Sequence, residues 1–485
     1  MQAGAARPIA GGVPRGAAAA AAAAGLAAGA YAFSPVDPTL LVVGAIAMAG
    51  AALIVLRVEW ALPVVGVFAV LRLANVATET HGAPSLFQPL LALVAFGVLV
   101  RWMHTGASPA GGGRAIALTA GFLVVAAAST FFAAHPVPAF GEFEALAKDV
   151  VVAVLAGVLL QTATDLRRLV WSVVAAGTLL ATLSAYQFLT GSFDQSFFGF
   201  ARASVQNIVD TTDDVRVSGP IGDPNYYAQV LLMLIPLAVD RMVTERRRFL
   251  KVAAGYGALV MTAAVVFTFS RGGALGLAVV AALLIWRYRP PAAALAAVAV
   301  AGVLAVPFLP SGYVERLTTL GQVGTVESTT DVSIRSRTAE LRAGTGMLLD
   351  HPLTGVGYGT FAANYVDYTR SFGIEQRLKD REAHNLYLEV GAETGLLGIG
   401  AFGVLMIGSF VALGAARRRF ADAGRADIAD TAYAFTVALS AYYVTSIFLH
   451  MDFARTFWLI TGVAVAMPSL ASRVAARAEE APAWP

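Results

Sequence analysis

His384 stands where a polar stretch gives way to an apolar one, in REAHNLYLEVGAETGLLG. A neutral imidazole, with an unperturbed pKa of about 6.5, accepts a proton at neutral pH. A hydroxyl nucleophile needs such a base within hydrogen-bond reach. The plainer reading is an interfacial histidine that caps a helix start. Two arginine-bearing stretches accompany it. FTFSRGG places Arg271 at a helix edge, and SIRSRTAELR carries Arg335, Arg337 and Arg342. A guanidinium is a planar fork of donors that fits phosphate bidentately. In Ser270-Arg271-Gly272-Gly273 it sits at a helix start, where free backbone N–H groups and the positive dipole end favour an anion. The plainer reading is a snorkelling arginine. Arg335 and Arg337, two apart, do not share a helix face, so at most one of them points into a given site. Glu389 and Glu393 lie one turn apart inside the apolar stretch. Acids are costly there unless paired or water-lined, and pairing with an arginine is as good an account as catalysis. A base and two cations on one membrane face suit a lipid-linked diphosphate donor, with the arginines neutralising the leaving group and the histidine deprotonating an acceptor hydroxyl.

Other chemistries lack their residues. There is no cysteine, so disulfides and thiolate chemistry are excluded. No D-x-D triplet and no Walker A sequence occur. His81, His104, His135, His351 and His450 have no metal-ligand spacing, and neither a metal nor a cofactor is expected. GVGYG lacks the strand–helix context of a dinucleotide site and reads as a loop.

The elements that must position these residues are membrane helices. Of the 485 residues, 58% are hydrophobic and only 13% charged, about half the charged share of a soluble domain. The chain is read as an all-α polytopic membrane protein of about fourteen spans. They are 16–33, 38–56, 60–78, 84–102, 115–134, 145–162, 168–190, 223–242, 249–269, 272–288, 291–309, 385–414, 428–449 and 456–472. The third contains Arg72, and the sixth Lys148. Gly391, Gly395, Gly398 and Gly400 would let the twelfth span pack closely on a neighbour. Basic clusters at Arg246–Arg248 with Lys251, Arg287 with Arg289, and Arg417–Arg419 place both termini in the cytoplasm. Two outer segments are too long to be turns, 191–222 and a large periplasmic loop, 310–384. The second includes a short helix in TAELRAGTGMLLD and a Gly-rich turn in HPLTGVGYG. The whole chain, 1–485, is one integral membrane domain. Its mild net charge of +3 reflects topology and calls for no nucleic acid.

The series GDPNYYA, FTFSRGGALG, R-x(9)-M-x(4)-PLTGVGYGTF and AHNLYLEVGAETGLLG resembles the O-antigen ligase and O-antigen polymerase superfamily. The resemblance covers residues 216–414. It implies a membrane glycosyltransferase of the GT-C type, independent of metal, acting with inversion. The donor it implies is a glycan on undecaprenyl diphosphate, and the acceptor a glycan or glycolipid. The place of action is the periplasmic side of a bacterial inner membrane. It also assigns Arg271, Arg337 and His384 to the site, with Arg335 a substitute for Arg337. Arg216, Asp223 and Asn225 would bind donor or acceptor. Tyr387, with Tyr358 and Phe361, would stack on sugars. The larger number of spans leans toward a polymerase for exopolysaccharide or O-antigen over a ligase. The rival readings are a flippase for lipid-linked glycans, which predicts broken helices, and a non-catalytic envelope scaffold.

Overall fold

Lipid offers no hydrogen bonds, so apolar segments satisfy their backbone internally, as helices. The computed structural model describes residues 57–106, 111–209, 212–293, 296, 332–372, 381–451 and 455–479. The helices are α1 (Ala61–Leu71), α2 (Leu73–His81), α3 (Phe87–Thr105), α4 (Gly112–Phe131), α5 (Pro136–Leu159), α6 (Ala163–Thr190), α7 (Pro224–Thr244), α8 (Arg248–Phe267), α9 (Arg271–Tyr288), α10 (Val332–Asp350), α11 (Phe361–Phe372), α12 (Leu386–Asp422), α13 (Ala426–Thr445) and α14 (Arg455–Glu479).

Among the described residues, eight helices are long and apolar enough to cross a membrane, or nine if α1 and α2 count as one bent span. The polytopic all-α reading holds at this level, and the expected count of fourteen is not tested by the described residues alone. The expected spans 16–33, 38–56 and 291–309 lie outside the described residues, apart from a few at the start of the last. The spans at 145–162 and 428–449 are helices, α5 and α13, but not among the eight. α5 begins earlier than expected, at Pro136, and carries Glu142, Glu144, Lys148 and Asp149. The span at 60–78 is not continuous. Arg72 adopts a left-handed φ of 50°, and α1 and α2 meet there at 43°. The outer segment 191–222 is not purely loop. It holds an antiparallel hairpin, β1 (Arg202–Val209) and β2 (Thr212–Gly219).

α7 is the most enclosed of these spans, with α8 and α13 packed against it. Close helix contact relies on small residues, as expected where lipid provides no hydrophobic drive. At Gly462 of α14, a Cβ would lie 2.2 Å from the Ala153 carbonyl oxygen of α5.

The long α12 is broken at Gly395, whose φ of 66° and ψ of −165° are essentially restricted to glycine. The Gly-rich loop after α10 fills the break. Val356 and Gly357 donate to the Ala392 and Glu393 carbonyls at 2.9 and 3.1 Å, and Leu396 N–H donates to Pro352 O at 2.8 Å. Gly395 therefore makes a break that a loop occupies, rather than the helix-packing face expected of it. A Cβ at Gly395 would meet the Leu353 carbonyl at 2.4 Å. Gly395→Ala should cost about 3 kcal/mol or more of stability from backbone strain alone. Thermal unfolding in detergent checks this, and an unchanged midpoint would contradict the break.

The helices alternate in direction, so one end of the bundle collects the α6–α7, α8–α9 and α13–α14 connections, the loop 351–360 and residues 381–385. Arg246–Arg248, Arg289 and Arg417–Arg419 fall at the opposite end.

Candidate functional site

Arg271 and Arg216 come together at the end of α8. Phe269 takes a left-handed φ of 48° and turns the chain. Ser270 then caps α9, its Oγ accepting the Gly273 N–H at 3.1 Å, and Arg271 opens the helix. Beneath the turn, buried Arg216 of β2 donates from Nε to the Thr268 carbonyl at 2.7 Å and from Nη2 to Asn225 Oδ1 at 3.1 Å. Asp223 caps α7, and its Oδ1 accepts the N–H groups of Asn225 and Tyr226 at 2.7 and 3.2 Å, with Pro224 fitting the first helical position. Arg216, Asp223 and Asn225 thus brace β2, α7 and the α8–α9 turn against one another. Arg271 differs. Among the described residues it makes no ion pair, and its buried Nε has no hydrogen-bond partner.

His384 does not cap α12 and is not on its face. Asn385 is the cap, its Oδ1 accepting the N–H groups of Tyr387 and Leu388, both at 3.0 Å. His384 precedes it with a left-handed φ of 46°, which turns its ring away from the helix. Its Nδ1 lies 3.0 Å from the Glu382 carbonyl. A carbonyl only accepts, so this contact assigns the hydrogen to Nδ1 and leaves the lone pair on Nε2. Buried Glu340 stands 3.6 Å from the same nitrogen, and its other oxygen lies 3.4 Å from Arg381 Nη1. The side chain of His384 is 46% exposed, so its ring is accessible.

A second histidine completes the group. His450 packs edge-on against His384 with ring centres 5.6 Å apart, and its Nδ1 hydrogen-bonds the Tyr226 hydroxyl at 2.6 Å. Its lack of metal-ligand spacing says nothing of this role. No local pattern announces it, because only the tertiary fold brings the α13–α14 turn to α12. That turn also joins the two halves of the site. Ser446 O accepts the Leu386 N–H at 2.9 Å, and Phe448 lies against Gly272, next to Arg271. Arg271 and His384 therefore flank one turn at one end of the bundle.

Burial, and then the charge of His384, push His450 from its ordinary 6.5 down to about 3. The folded state keeps it neutral while the unfolded chain takes up a proton. Stability is therefore lost as pH falls through the window from 6.5 to about 3, by up to about 1.4 kcal/mol per pH unit. His450→Gln should flatten the dependence of the unfolding midpoint on pH between 6 and 4. Equal slopes in the two proteins would count against it.

The two acids of the apolar stretch serve backbone groups. Glu393 accepts the N–H groups of Gly359 and Phe361 at 2.8 and 2.9 Å, and so caps α11. Glu389 accepts the Met451 N–H at 2.7 Å and fixes the turn that carries His450. Tyr387 donates to the Tyr443 carbonyl at 2.8 Å and is 37% exposed. Phe361 is fully buried, which corrects its expected role on a sugar, whereas Tyr358 is half-buried. The helix expected in TAELRAGTGMLLD is α10, which begins earlier, at Val332, so that Arg335 and Arg337 lie in its first turns. Their side chains fall outside the described residues.

The helices and this end group define a polytopic membrane protein with an accessible imidazole beside an arginine that no described acid neutralises. Residues 256–403 match the family model described as O-antigen ligase, which bears out the resemblance to the O-antigen ligase and polymerase superfamily. The matched segment contains Arg271, Arg335, Arg337 and His384. It is narrower than the resemblance at both ends, leaving out Arg216, Asp223, Asn225 and also His450. Among curated proteins, no sequence matches the chain.

Proposed function

We propose that the protein is an inverting glycosyltransferase. It moves an oligosaccharide from undecaprenyl diphosphate to an acceptor hydroxyl on the periplasmic face of the inner membrane. The observation that carries this reading is the placement of His384, whose Nδ1 faces the Glu382 carbonyl, and of Arg271, uncommitted among the described residues, on either side of the 446–451 turn.

In the reaction the acceptor O–H gives its proton to His384 Nε2 as its oxygen attacks the anomeric carbon. The bond from that carbon to the diphosphate oxygen breaks, and the lipid diphosphate departs with the electron pair. Arg271 and Arg337 bind the charge that develops on the leaving group. Glu340 faces the far nitrogen of the ring and stabilises the imidazolium that forms. Arg216, Asp223 and Asn225 act on donor or acceptor through the frame they brace, and Tyr387 offers a ring edge for a sugar. No bound cofactor is required, because the diphosphate is already an activated leaving group. The basic clusters at the opposite end of the bundle support cytoplasmic termini and an outward-facing site.

The test is transfer from a synthetic polyprenyl diphosphate glycan by the purified protein in proteoliposomes, with release of polyprenyl diphosphate. A ladder of repeat units supports the polymerase reading favoured here, and a single capped glycolipid supports a ligase. The broken α12 is a feature a flippase would share. Here, however, the break is filled by the 352–357 loop and does not open a path. Glycan crossing the bilayer without diphosphate release would reverse the choice.

A further inference from the structure

Beside this site lies a cavity of about 390 Å³, between α1, α2, α5, α7 and α14. That is within the usual range of roughly 300–1,000 Å³ for small-ligand sites. Met451, next to His450, and Ile221, two residues before Asp223, form part of its wall. It therefore opens at the same end of the bundle as His384.

Its lining is polar in an otherwise apolar bundle. Arg72, Lys148 and Arg455 face it together with Glu79, Glu142 and Asp149, and the half-buried ring of Tyr358 closes one side. Ionisable side chains among membrane helices are expensive and point to function. Arg72 reaches the cavity because the chain turns left-handed there and breaks the α1–α2 helix, a strain of the kind found at functional sites.

The charges are balanced locally. Arg72 faces Glu79 at 3.7 Å, Arg455 faces Asp149 at 3.3 Å, and Lys148 faces Glu144 at 2.8 Å. Arg455 also hydrogen-bonds Asn75 and lies 4.0 Å from the Phe87 ring centre. A diphosphate would have to compete with those carboxylates for each cation. An uncharged, hydroxyl-rich ligand would not, since each hydroxyl both donates and accepts. Guanidinium and amide N–H groups would donate to it, Asp149 would accept from it, and the half-buried Tyr358 ring would lie against one of its apolar faces.

We propose that this cavity is a saccharide subsite that holds one or two uncharged sugar residues. It rests on the proposed function for the source of its ligand, which is the glycan of either the lipid-linked donor or the acceptor. Arg271 takes the anionic part of the donor, and the cavity takes sugar.

Two variants test it in the full-length protein in nanodiscs. Ala145→Trp fills the cavity from an exposed lining position on α5, and Asp149→Asn removes an acceptor while keeping size. In the transfer assay, both should raise KM for one saccharide substrate about ten-fold, with kcat nearly kept. A rise for the donor assigns the cavity to the donor glycan, and a rise for the acceptor assigns it to the acceptor. KM unchanged for both substrates, with turnover intact, overturns the subsite and leaves the transferase reading standing.

If the wild type shows no transfer, the functional reading fails on its own, and direct binding still decides the subsite. The probe is the oligosaccharide released by mild acid from the source cell's lipid-linked glycans, with binding followed by isothermal titration calorimetry. Binding that is abolished by Ala145→Trp supports the cavity. Its absence in the wild type, or its persistence in Ala145→Trp, overturns it.

Discussion

His384→Ala should insert and unfold as the wild type does, yet transfer glycan about 10²–10⁴ times more slowly, the usual contribution of a positioned base. The fall should appear in kcat, because the imidazole acts on a proton that moves only as the new bond forms. His384→Gln should be nearly as slow, since an amide has no basic nitrogen. Little loss of stability is expected. The side chain is 46% exposed, and removing its left-handed backbone preference changes only a local turn. Glu340 gives the argument a second handle. It faces Nδ1, so Glu340→Gln should weaken proton transfer by a smaller factor and move the lower limb of the pH–rate profile to lower pH, because a nearby anion favours the protonated ring. His450 stays uncharged at working pH and should not add a second limb there. Undiminished turnover in a correctly inserted His384→Ala protein would remove the base assignment.

The sequence made part of this legible, for physical reasons. Apolar periodicity reports burial in lipid directly, so the helices were visible where charge was scarce, as in α4, α8 and α9. It reports nothing about a break. Arg72 and Gly395 interrupt spans that read as continuous, because hydropathy does not register a left-handed residue, and at Gly395 what fills the break is distant in sequence. That occupant is the 352–357 loop. Glu389 and Glu393 were recognised as anomalous inside a span, but their N–H partners at Met451, Gly359 and Phe361 come from other segments. Asp223 and Ser270 stand before apolar runs, and both are N-caps. His450 was invisible as a partner of His384, since two histidines on separate turns carry no spacing signal. The hairpin in 191–222 was missed because strands with scattered apolar positions give no span signal, in a chain where hydropathy dominates the reading.

Arg271→Lys should lower kcat/KM about 10²-fold, and Arg271→Ala about 10³-fold, the range seen when a donor to developing negative charge is lost. The lysine variant keeps the charge but replaces a planar fork with a single point donor on a flexible stem, so one of two phosphate contacts goes and the other is poorly aimed. Charge on the diphosphate grows as the glycosidic bond breaks, and the loss should therefore fall more on kcat than on KM. Arg271 is suited to this role because no described acid neutralises it and its Nε is buried without a partner, a cost that a bound anion would offset. The position at the first turn of α9 adds the helix N-terminus to the same anion. Arg216 provides the contrast. Its guanidinium is tied to Thr268 O and Asn225, so Arg216→Lys should loosen the α8–α9 turn and lower the unfolding midpoint, an effect that Arg271→Lys should not share. Measuring both kinetics and unfolding for the two variants separates anion binding from bracing. Full activity in Arg271→Lys would mean that charge alone suffices, and a matched fall in stability would mean that Arg271 is structural.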